Sequence, residues 1–155
     1  MATARRYENT GDWKRISDFL IRTYRTGGGH VNWVQPRWEY MHYHPNFRGI
    51  DLGLIGIWET PLGIVGVILP EHDLGTVYVE IDPEYGILTR EMLKFAEAHL
   101  RTTSGGLHRL RVYINDDGGD FQYVASEMGY MRGDRSDPMS QLPIAAPLPA
   151  APLPP

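Results

Sequence analysis

The residues best placed for chemistry lie between Leu74 and Leu100, where a strand pattern passes through Pro83-Glu84-Tyr85 into a helix pattern. A helix N-terminus carries unpaired backbone N–H groups and the positive end of the helix dipole, and both favour a bound phosphate. Residues 86–90 occupy that position here. They could therefore hold a phosphorylated cofactor, although an ordinary strand-to-helix corner has the same pattern.

Hydrophobic periodicity predicts the two elements on either side of this corner. In the strand, apolar side chains alternate with more polar ones, which is typical of a strand with one buried face. The side chains predicted to face the core are Val77, Val79 and Ile81, and those predicted on the other face are Thr76, Tyr78 and Glu80. The helix carries one apolar stripe, formed by Met92, Phe95, Ala96 and Leu100.

Length and composition indicate one globular domain. The chain has 155 residues, of which 42% are hydrophobic and 22% are charged, enough for one sizeable core. The absence of cysteine excludes disulfides, thiol nucleophiles and Cys-ligated zinc. A net charge of −4 gives no basic footprint, so we expect no nucleic-acid partner. No apolar run has the length of a membrane span or a secretion signal, so we expect a cytoplasmic protein without membrane contact.

Three histidines are the remaining candidates for metal ligands: His30, His42 and His44. Two of them, His42 and His44, are only two residues apart, and on a helix such side chains point about 200° away from each other. No Asp or Glu completes a recognisable ligand spacing around them. We therefore predict no metal site.

The C-terminal residues differ in composition from the rest of the chain. The last eighteen residues contain seven of the twelve prolines and no charged side chain. Proline lacks the N–H that helix interiors and strand ladders need, so an extended, polyproline-like linker is predicted for 144–155. The alternative is a proline-rich ligand for a recognition domain. The globular domain is predicted to cover 1–143.

The periodic segments predict the order β-α-α-β-β-β-α-β-α, with one or two further strands within 130–143. The predicted strands cover 5–8, 52–59, 64–69, 74–81 and 108–114. The predicted helices carry their apolar stripes within 13–24, 38–41, 88–101 and 121–128. A crossover through the third helix should make strands 74–81 and 108–114 parallel neighbours. The predicted fold class is α+β with a mixed sheet.

This order of elements resembles that of the GCN5-related N-acetyltransferase (GNAT) superfamily over residues 4–143. The segment VEIDPEYGILTREMLKFAEAHL, at 79–100, is similar to the superfamily's acetyl-CoA motif of a strand, a Pro-Glu-Tyr corner, a phosphate loop and a helix. Val112-Tyr113-Ile114-Asn115 and a helix closing on Met128-Gly129-Tyr130 resemble the next strand and helix of that motif. The resemblance implies an acyl-CoA N-acyltransferase fold, with a mixed central sheet flanked by helices.

The resemblance also implies that acetyl-CoA binds where the two parallel strands separate. Backbone groups from Val79 to Ile81 would pair with the pantetheine arm. Asn115 would bond the same arm, although an asparagine before Asp116-Asp117-Gly118 is also an ordinary turn residue. The pyrophosphate would lie on the loop and helix N-terminus formed by Gly86, Ile87, Leu88, Thr89 and Arg90.

In such enzymes a primary amine attacks the thioester directly, which requires a base, an oxyanion donor and an acid. The resemblance makes Glu80 and Glu71 the candidates for the base. The alternative for Glu80 is a solvated carboxylate on the outer face of a strand. Trp33, Trp38 and Tyr40 would line the cleft for the acceptor amine, or belong to the core instead.

Two departures from the superfamily pattern open an alternative function. The usual phosphate loop has several glycines, whose N–H groups approach the pyrophosphate closely, whereas residues 85–90 contain Gly86 alone and are about two residues shorter. The tyrosine acid that is common in the last helix is replaced by Ala125. Both losses indicate weakened or lost binding and catalysis.

These losses resemble the degenerate N-terminal half of bacterial proteins with two tandem GNAT halves, as does Asn32-Trp33 followed by residues 37–41 and His44-Pro45. Two functions therefore stand. The first is N-acetyl transfer from acetyl-CoA to a primary amine of unknown identity. The second is a catalytically silent domain that forms a homodimer, docks a second half beyond the C-terminus, or binds a ligand in the old cleft.

Overall fold

The computed structural model describes residues 1–8, 10–24, 32–43, 51–70 and 74–136. These residues form an α+β fold with a mixed sheet, as predicted. The strands are β1 (Thr3–Arg6), β2 (Gly56–Thr60), β3 (Gly63–Pro70), β4 (Thr76–Ile81), β5 (Thr102–Ser104), β6 (Leu107–Arg109) and β7 (Arg111–Tyr113). The α-helices are α1 (Thr10–Thr23), α2 (Gln35–Tyr43), α3 (Thr89–His99) and α4 (Gly119–Glu127), and 3-10 helices cover Leu52–Leu54 and Pro83–Leu88.

Five strands form the main sheet in the order β1-β2-β3-β4-β7. The first four pair antiparallel, and β7 pairs parallel to β4 after the crossover through α3. The parallel neighbours were therefore predicted correctly, but only 111–113 of the predicted strand 108–114 takes part. This pairing places the candidate cofactor strand β4 between β3 and β7.

Helices cover both faces of the sheet. On one face α1 and α2 enclose a core cluster that includes Ile16, Phe19, Leu20, Trp33, Trp38, Met41, Ile57, Val67, Leu69 and Tyr78. On the other face α3, with α4 beside it, encloses a second cluster that includes Trp58, Val65, Ile68, Val77, Val79, Met92, Ala96 and Leu100. The sheet is thus the middle of three layers.

The prediction that β4 has one buried face is wrong. Tyr78 and Glu80 are each only 4% exposed, although they point away from Val77 and Val79. The reason is that α1 and α2 cover the face that the alternation marked as polar. A glutamate in this position is enclosed by protein and is not solvated.

The predicted strand 108–114 is interrupted at Leu110, because its first half pairs elsewhere. Residues Leu107–Arg109 form a separate two-stranded hairpin with Thr102–Ser104. The turn between them consists of Gly105 and Gly106, with φ of 59° and 78°, the conformation of a tight hairpin turn that glycine adopts without strain.

Gly75 fixes the position of β7 beside β4. Its N–H donates to Leu100 O at 2.6 Å, at the end of α3, and its C=O accepts from Arg111 N at 2.8 Å, at the start of β7. Its φ is 97°, and a Cβ there would lie 2.6 Å from Thr102 Cγ2. The close approach therefore requires glycine, and it sets the register of the two parallel strands.

The chain termini differ from their predictions. The N-terminal strand is Thr3–Arg6, two residues earlier than predicted. No strand forms within 130–136, where Gly133 and charged side chains interrupt any apolar alternation, and the remainder of the predicted terminal strands at 137–143 lies outside the described residues, as does the predicted linker. None of the described helices is long and apolar enough to cross a membrane.

Candidate cofactor and catalytic site

The candidate site is the place where β7 ends and β4 continues. The two strands pair at Thr76 with Arg111, at Val77 with Val112 and at Tyr78 with Tyr113. Beyond this point β7 stops, whereas β4 runs on to Ile81. Three residues of β4 therefore lack a strand partner on that side.

The hydrogen-bond pattern shows which backbone groups of β4 face this side. Asp82 N donates to Val65 O at 2.8 Å, and the antiparallel register places Glu80 opposite Val67. Because hydrogen-bonded and non-bonded pairs alternate along such a ladder, Glu80 and Tyr78 direct their N–H and C=O towards β3. The backbone groups of Val79 and Ile81 point the other way. The parallel pairing of Tyr78 with Tyr113 directs the Val79 N–H to the C=O of Tyr113, whereas the Val79 C=O and the N–H and C=O of Ile81 lie past the end of β7.

Asn32 contacts this part of β4 from the segment that leads into α2. Its side-chain Nδ2 donates to Val79 O at 2.9 Å. Its backbone N–H donates to the carboxylate Oε2 of Glu80 at 2.9 Å, and Trp33 N–H donates to the same oxygen at 3.4 Å. Two backbone N–H groups thus hold the buried carboxylate in place.

Glu80 is a buried carboxylate that has no ion-pair partner within the described part of the chain. No Lys or Arg among the described residues forms an ion pair with it. Burial therefore raises the pKa of Glu80 to about 7, although the N–H donors of Asn32 and Trp33 act in the opposite direction. A carboxyl group with this pKa can gain and lose a proton near neutral pH.

Aromatic rings form the surface beside Glu80. The Tyr78 ring stacks on Tyr113 with centroids 4.9 Å apart and an interplanar angle of 6°, and it lies 4.5 Å from the Trp33 ring. The Arg37 guanidinium lies over Trp33 and Tyr78 at 4.6 and 4.7 Å from the ring centroids, and its Nη2 donates to Tyr78 Oη at 3.0 Å. Tyr78 and Tyr113 were not predicted from the sequence as site residues. The signal that could have identified them is that the predicted parallel pairing places two tyrosines opposite each other on neighbouring strands.

The predicted cleft aromatics do not share one location. Trp33 lies next to Glu80 and is 1% exposed. Trp38 lies in the core between α1 and α2, where its Nε1 donates to Trp13 O at 3.2 Å. Tyr40 is half exposed on the outer side of α2. Only Trp33 is therefore close to the candidate base.

The predicted phosphate segment begins as a 3-10 helix, not as an open loop. The N–H groups of the corner just before Gly86 are paired locally, since Glu84 N donates to Asp82 Oδ1 at 3.2 Å and Tyr85 N donates to Asp82 O at 2.8 Å. The backbone N–H of Thr89 and its hydroxyl both donate to Gly86 O. These groups therefore do not form a ready cradle for a pyrophosphate.

The other side chains of this segment point in different directions. Leu88 packs in the core below α3, whereas Ile87 is 90% exposed. Arg90 forms an exposed ion pair with Glu127 of α4 at 3.3 Å. Among the predicted phosphate-binding residues 86–90, only Arg90 has a cationic side chain, and it lies at the N-terminus of α3.

The remaining predicted site residues contribute less. The backbone C=O of Asn115 accepts from Gly118 N and Gln122 Nε2 at 3.0 and 2.7 Å, so Asn115 takes part in the turn that begins α4. Glu71 lies outside the described residues. Within the described ranges, no group of three or more His, Asp or Glu side chains is arranged to hold a metal ion.

Comparison with known proteins adds no relative. No protein-family model matches the chain, and a search of curated proteins finds no similar sequence. The resemblance to the GNAT superfamily stays a prediction that rests on the residues of the motif.

Proposed function

We propose that the chain is a GNAT-like N-acetyltransferase that uses acetyl-CoA to acylate a primary amine. The observation that carries this proposal is the position of Glu80, a buried carboxylate with a pKa of about 7 on β4. It lies beside the point where β4 and β7 stop pairing. A general base works best when its pKa is near the working pH, so Glu80 suits the removal of a proton from an ammonium group.

The described residues fit the two parts of acetyl-CoA unequally. The C=O of Val79 and the N–H and C=O of Ile81 point past the end of β7 and suit the amide groups of a pantetheine arm. The segment around Gly86 fits a pyrophosphate less well, because the N–H groups of Glu84, Tyr85 and Thr89 are paired locally. Binding would therefore depend more on the arm than on the phosphates.

The chain's own residues have defined roles in this proposal. Bound acetyl-CoA would supply an activated acyl thioester. The Glu80 carboxylate accepts the proton that the acceptor ammonium must lose, and the protonated carboxyl is stable in its buried setting. The stacked rings of Tyr78 and Tyr113 form an apolar wall beside it and exclude water from that side.

The closed phosphate segment favours a second candidate, a domain of this fold that has lost catalysis and serves to dock a second half or a second copy. In that case the hydrogen bonds from Asn32 and Trp33 to Glu80 are structural, and the carboxylate joins α2 to the sheet. Ala125, buried where a tyrosine acid is common, agrees with this candidate.

Calorimetric titration with acetyl-CoA separates the two candidates. We expect heat of binding at micromolar to millimolar cofactor if the transferase proposal holds. No heat at millimolar acetyl-CoA would exclude the transferase and leave the silent domain.

Kinetics then tests the role of Glu80. With a panel of primary amines that includes spermidine and free lysine, Glu80→Gln should lower kcat by about 10²–10⁴-fold and leave the affinity for acetyl-CoA nearly unchanged, because only proton removal is affected. Glu8→Gln, which changes an exposed carboxylate far from β4, is the matched control and should leave kcat unchanged. An unaltered kcat in Glu80→Gln would remove this residue from the mechanism.

A further inference from the structure

Asn32 forms hydrogen bonds both with the unpaired end of β4 and with the candidate base. Its side-chain amide reaches Val79 O and its backbone N–H reaches Glu80 Oε2, both at 2.9 Å. One residue from another element thus contacts both of the groups on β4 to which the proposed reaction assigns a role. This double contact spans 47 and 48 residues of sequence, so local sequence does not require it.

The bond to Val79 has the chemistry of a cofactor contact. Val79 O points past the end of β7, where the proposed function places the pantetheine arm. The Nδ2 of Asn32 is an amide N–H donor, the same type of donor as the amides of that arm. Asn32 and the arm therefore suit the same acceptor.

We propose that Asn32 is an autoinhibitory residue, whose side-chain amide occupies the position of the cofactor amide on Val79 and which leaves both Val79 and Glu80 when acyl-CoA binds. This inference rests on the proposed function, because it assumes that acyl-CoA pairs with β4. It adds to that function a competition between the Asn32 side chain and the cofactor for hydrogen bonding to Val79 O.

The second bond of Asn32 couples this displacement to the base. The proposed displacement moves the backbone of Asn32 and not its side chain alone, so the backbone N–H leaves Glu80 Oε2 when the side-chain amide leaves Val79 O. Trp33 remains as the fixed point, since it is 1% exposed and packs on Tyr78. Glu80 then loses its shorter N–H donor, and a carboxylate with fewer donors holds a proton more tightly. The base is thus strongest when the cofactor is in place.

The test compares acetyl-CoA affinities of three full-length proteins by calorimetry: wild type, Asn32→Ala and Gln35→Ala. Asn32→Ala should bind about five- to tenfold more tightly, because the cofactor no longer displaces a hydrogen bond. Gln35→Ala is the matched control, since the Gln35 amide bonds Ser17 Oγ and Glu39 Oε1 at 3.1 and 2.7 Å on the helical side. Its affinity should equal that of wild type.

The outcomes are distinct for the two proposals. Equal or weaker binding by Asn32→Ala, with binding by wild type intact, would overturn the role of Asn32 and leave the transferase proposal standing. Absence of binding in all three proteins would overturn both.

Amide hydrogen exchange on the wild-type protein gives a second test that does not depend on the folding of a variant. At saturating acetyl-CoA, exchange at the Asn32 backbone N–H should become at least about tenfold faster, because its bond to Glu80 is lost, while exchange at Trp33 should stay slow. Unchanged or slower exchange at Asn32 in the complex would contradict the displacement.

Discussion

Two buried carboxylates, Asp12 and Glu80, have opposite electrostatic surroundings. At the corner between β1, α1 and β2, the Arg5 guanidinium donates two hydrogen bonds to Asp12, at 2.6 and 2.7 Å, and one to Glu59 Oε1 at 2.8 Å. Arg15 also donates to Glu59. At the centre of the sheet, the hydrogen bonds that Glu80 receives from the described residues come from backbone N–H groups. Asp12 and Glu80 have similar exposed fractions, 3% and 4%, but Asp12 lies beneath the partly exposed Arg5 side chain, whereas Glu80 lies deeper in the fold.

The two carboxylates also differ in whether a cationic side chain compensates their negative charge. The Arg5 guanidinium lowers the pKa of Asp12 and of Glu59, so both stay charged at any ordinary pH. Desolvation raises the pKa of Glu80 to about 7. A compensated carboxylate holds elements together, whereas an uncompensated one costs stability and can exchange a proton near neutral pH. This contrast singles out Glu80, and not Asp12, as the functional candidate.

The largest expected effect is on the pH dependence of folding stability at Glu80. Its pKa is raised in the folded protein, from 4.5 to about 7, so the folded state binds the proton more tightly than the unfolded chain. The stability that this provides is complete below about pH 4.5 and is lost as the pH rises to about 7, amounting to up to about 3 kcal/mol. Glu80→Gln cannot be charged and should therefore be more stable than wild type at pH 8 by up to about that amount.

Urea unfolding of wild type and Glu80→Gln at pH 5 and pH 8 measures this effect. The difference between the two proteins isolates Glu80 from other groups that titrate in this range. Glu8→Gln, an exposed carboxylate, should follow wild type at both pH values. A difference that is the same at pH 5 and pH 8 would refute the raised pKa.

The next effect concerns the compensated corner. Asp12→Asn should lower the free energy of unfolding at pH 7 by about 2 kcal/mol, since Arg5 then keeps a positive charge without its closest partner, and its 23% exposed side chain limits the loss. The lowered pKa of Asp12 means that its contribution is present above its ordinary value near 3.8 and is lost as the pH falls further.

Urea unfolding at pH 7 and pH 3 should therefore show a deficit in Asp12→Asn that shrinks in acid. Asp18→Asn is the matched control, because Asp18 forms an exposed pair with Lys14 at 2.6 Å and should cost less than about 0.5 kcal/mol. An equal loss in the free energy of unfolding for the two variants would show that the buried ion pair of Asp12 stabilises the fold no more than an exposed one.

The smallest effect tests whether geometry matters in addition to charge. Arg5→Lys retains the positive charge but cannot form the fork that contacts Asp12 and Glu59 together, so we expect a loss of about 1 kcal/mol. Arg15→Lys, at a side chain that is 45% exposed, should cost less than about 0.5 kcal/mol. Thermal unfolding at constant pH is sufficient to compare them, and equal stability of wild type and Arg5→Lys would show that charge alone explains this corner.

The sequence predicted the elements whose signals are local. Apolar periodicity identified α1 and α3, the prolines at 36 and 45 marked the start and the end of α2, and the Thr60 to Gly63 segment identified the β2–β3 hairpin. Each of these signals depends on neighbours within a few positions. The parallel pairing of β4 with β7 followed from the crossover alone. The α+β class was predictable from the same signals.

The site was less predictable because its contacts come from distant parts of the chain. The alternation in β4 marked Glu80 as solvated, and only the layer formed by α1 and α2 encloses it. Asn32 contacts Val79 through a bond that no local pattern specifies. Leu110 lies between the short strands β6 and β7. This break in the predicted strand 108–114 depends on the pairing of 102–104 with 107–109.

The order of strands in the sheet also implies an order of assembly. Strands β2 and β3 are joined by a two-residue turn, whereas β1 pairs with β2 across more than fifty residues, as in Thr3 opposite Glu59. Closing such a long loop costs chain entropy before any contact is gained, so β1 should join the sheet late in folding. Contacts made after the transition state mainly slow unfolding. We therefore expect the Arg5 network to slow the unfolding of the native sheet more than it speeds its folding.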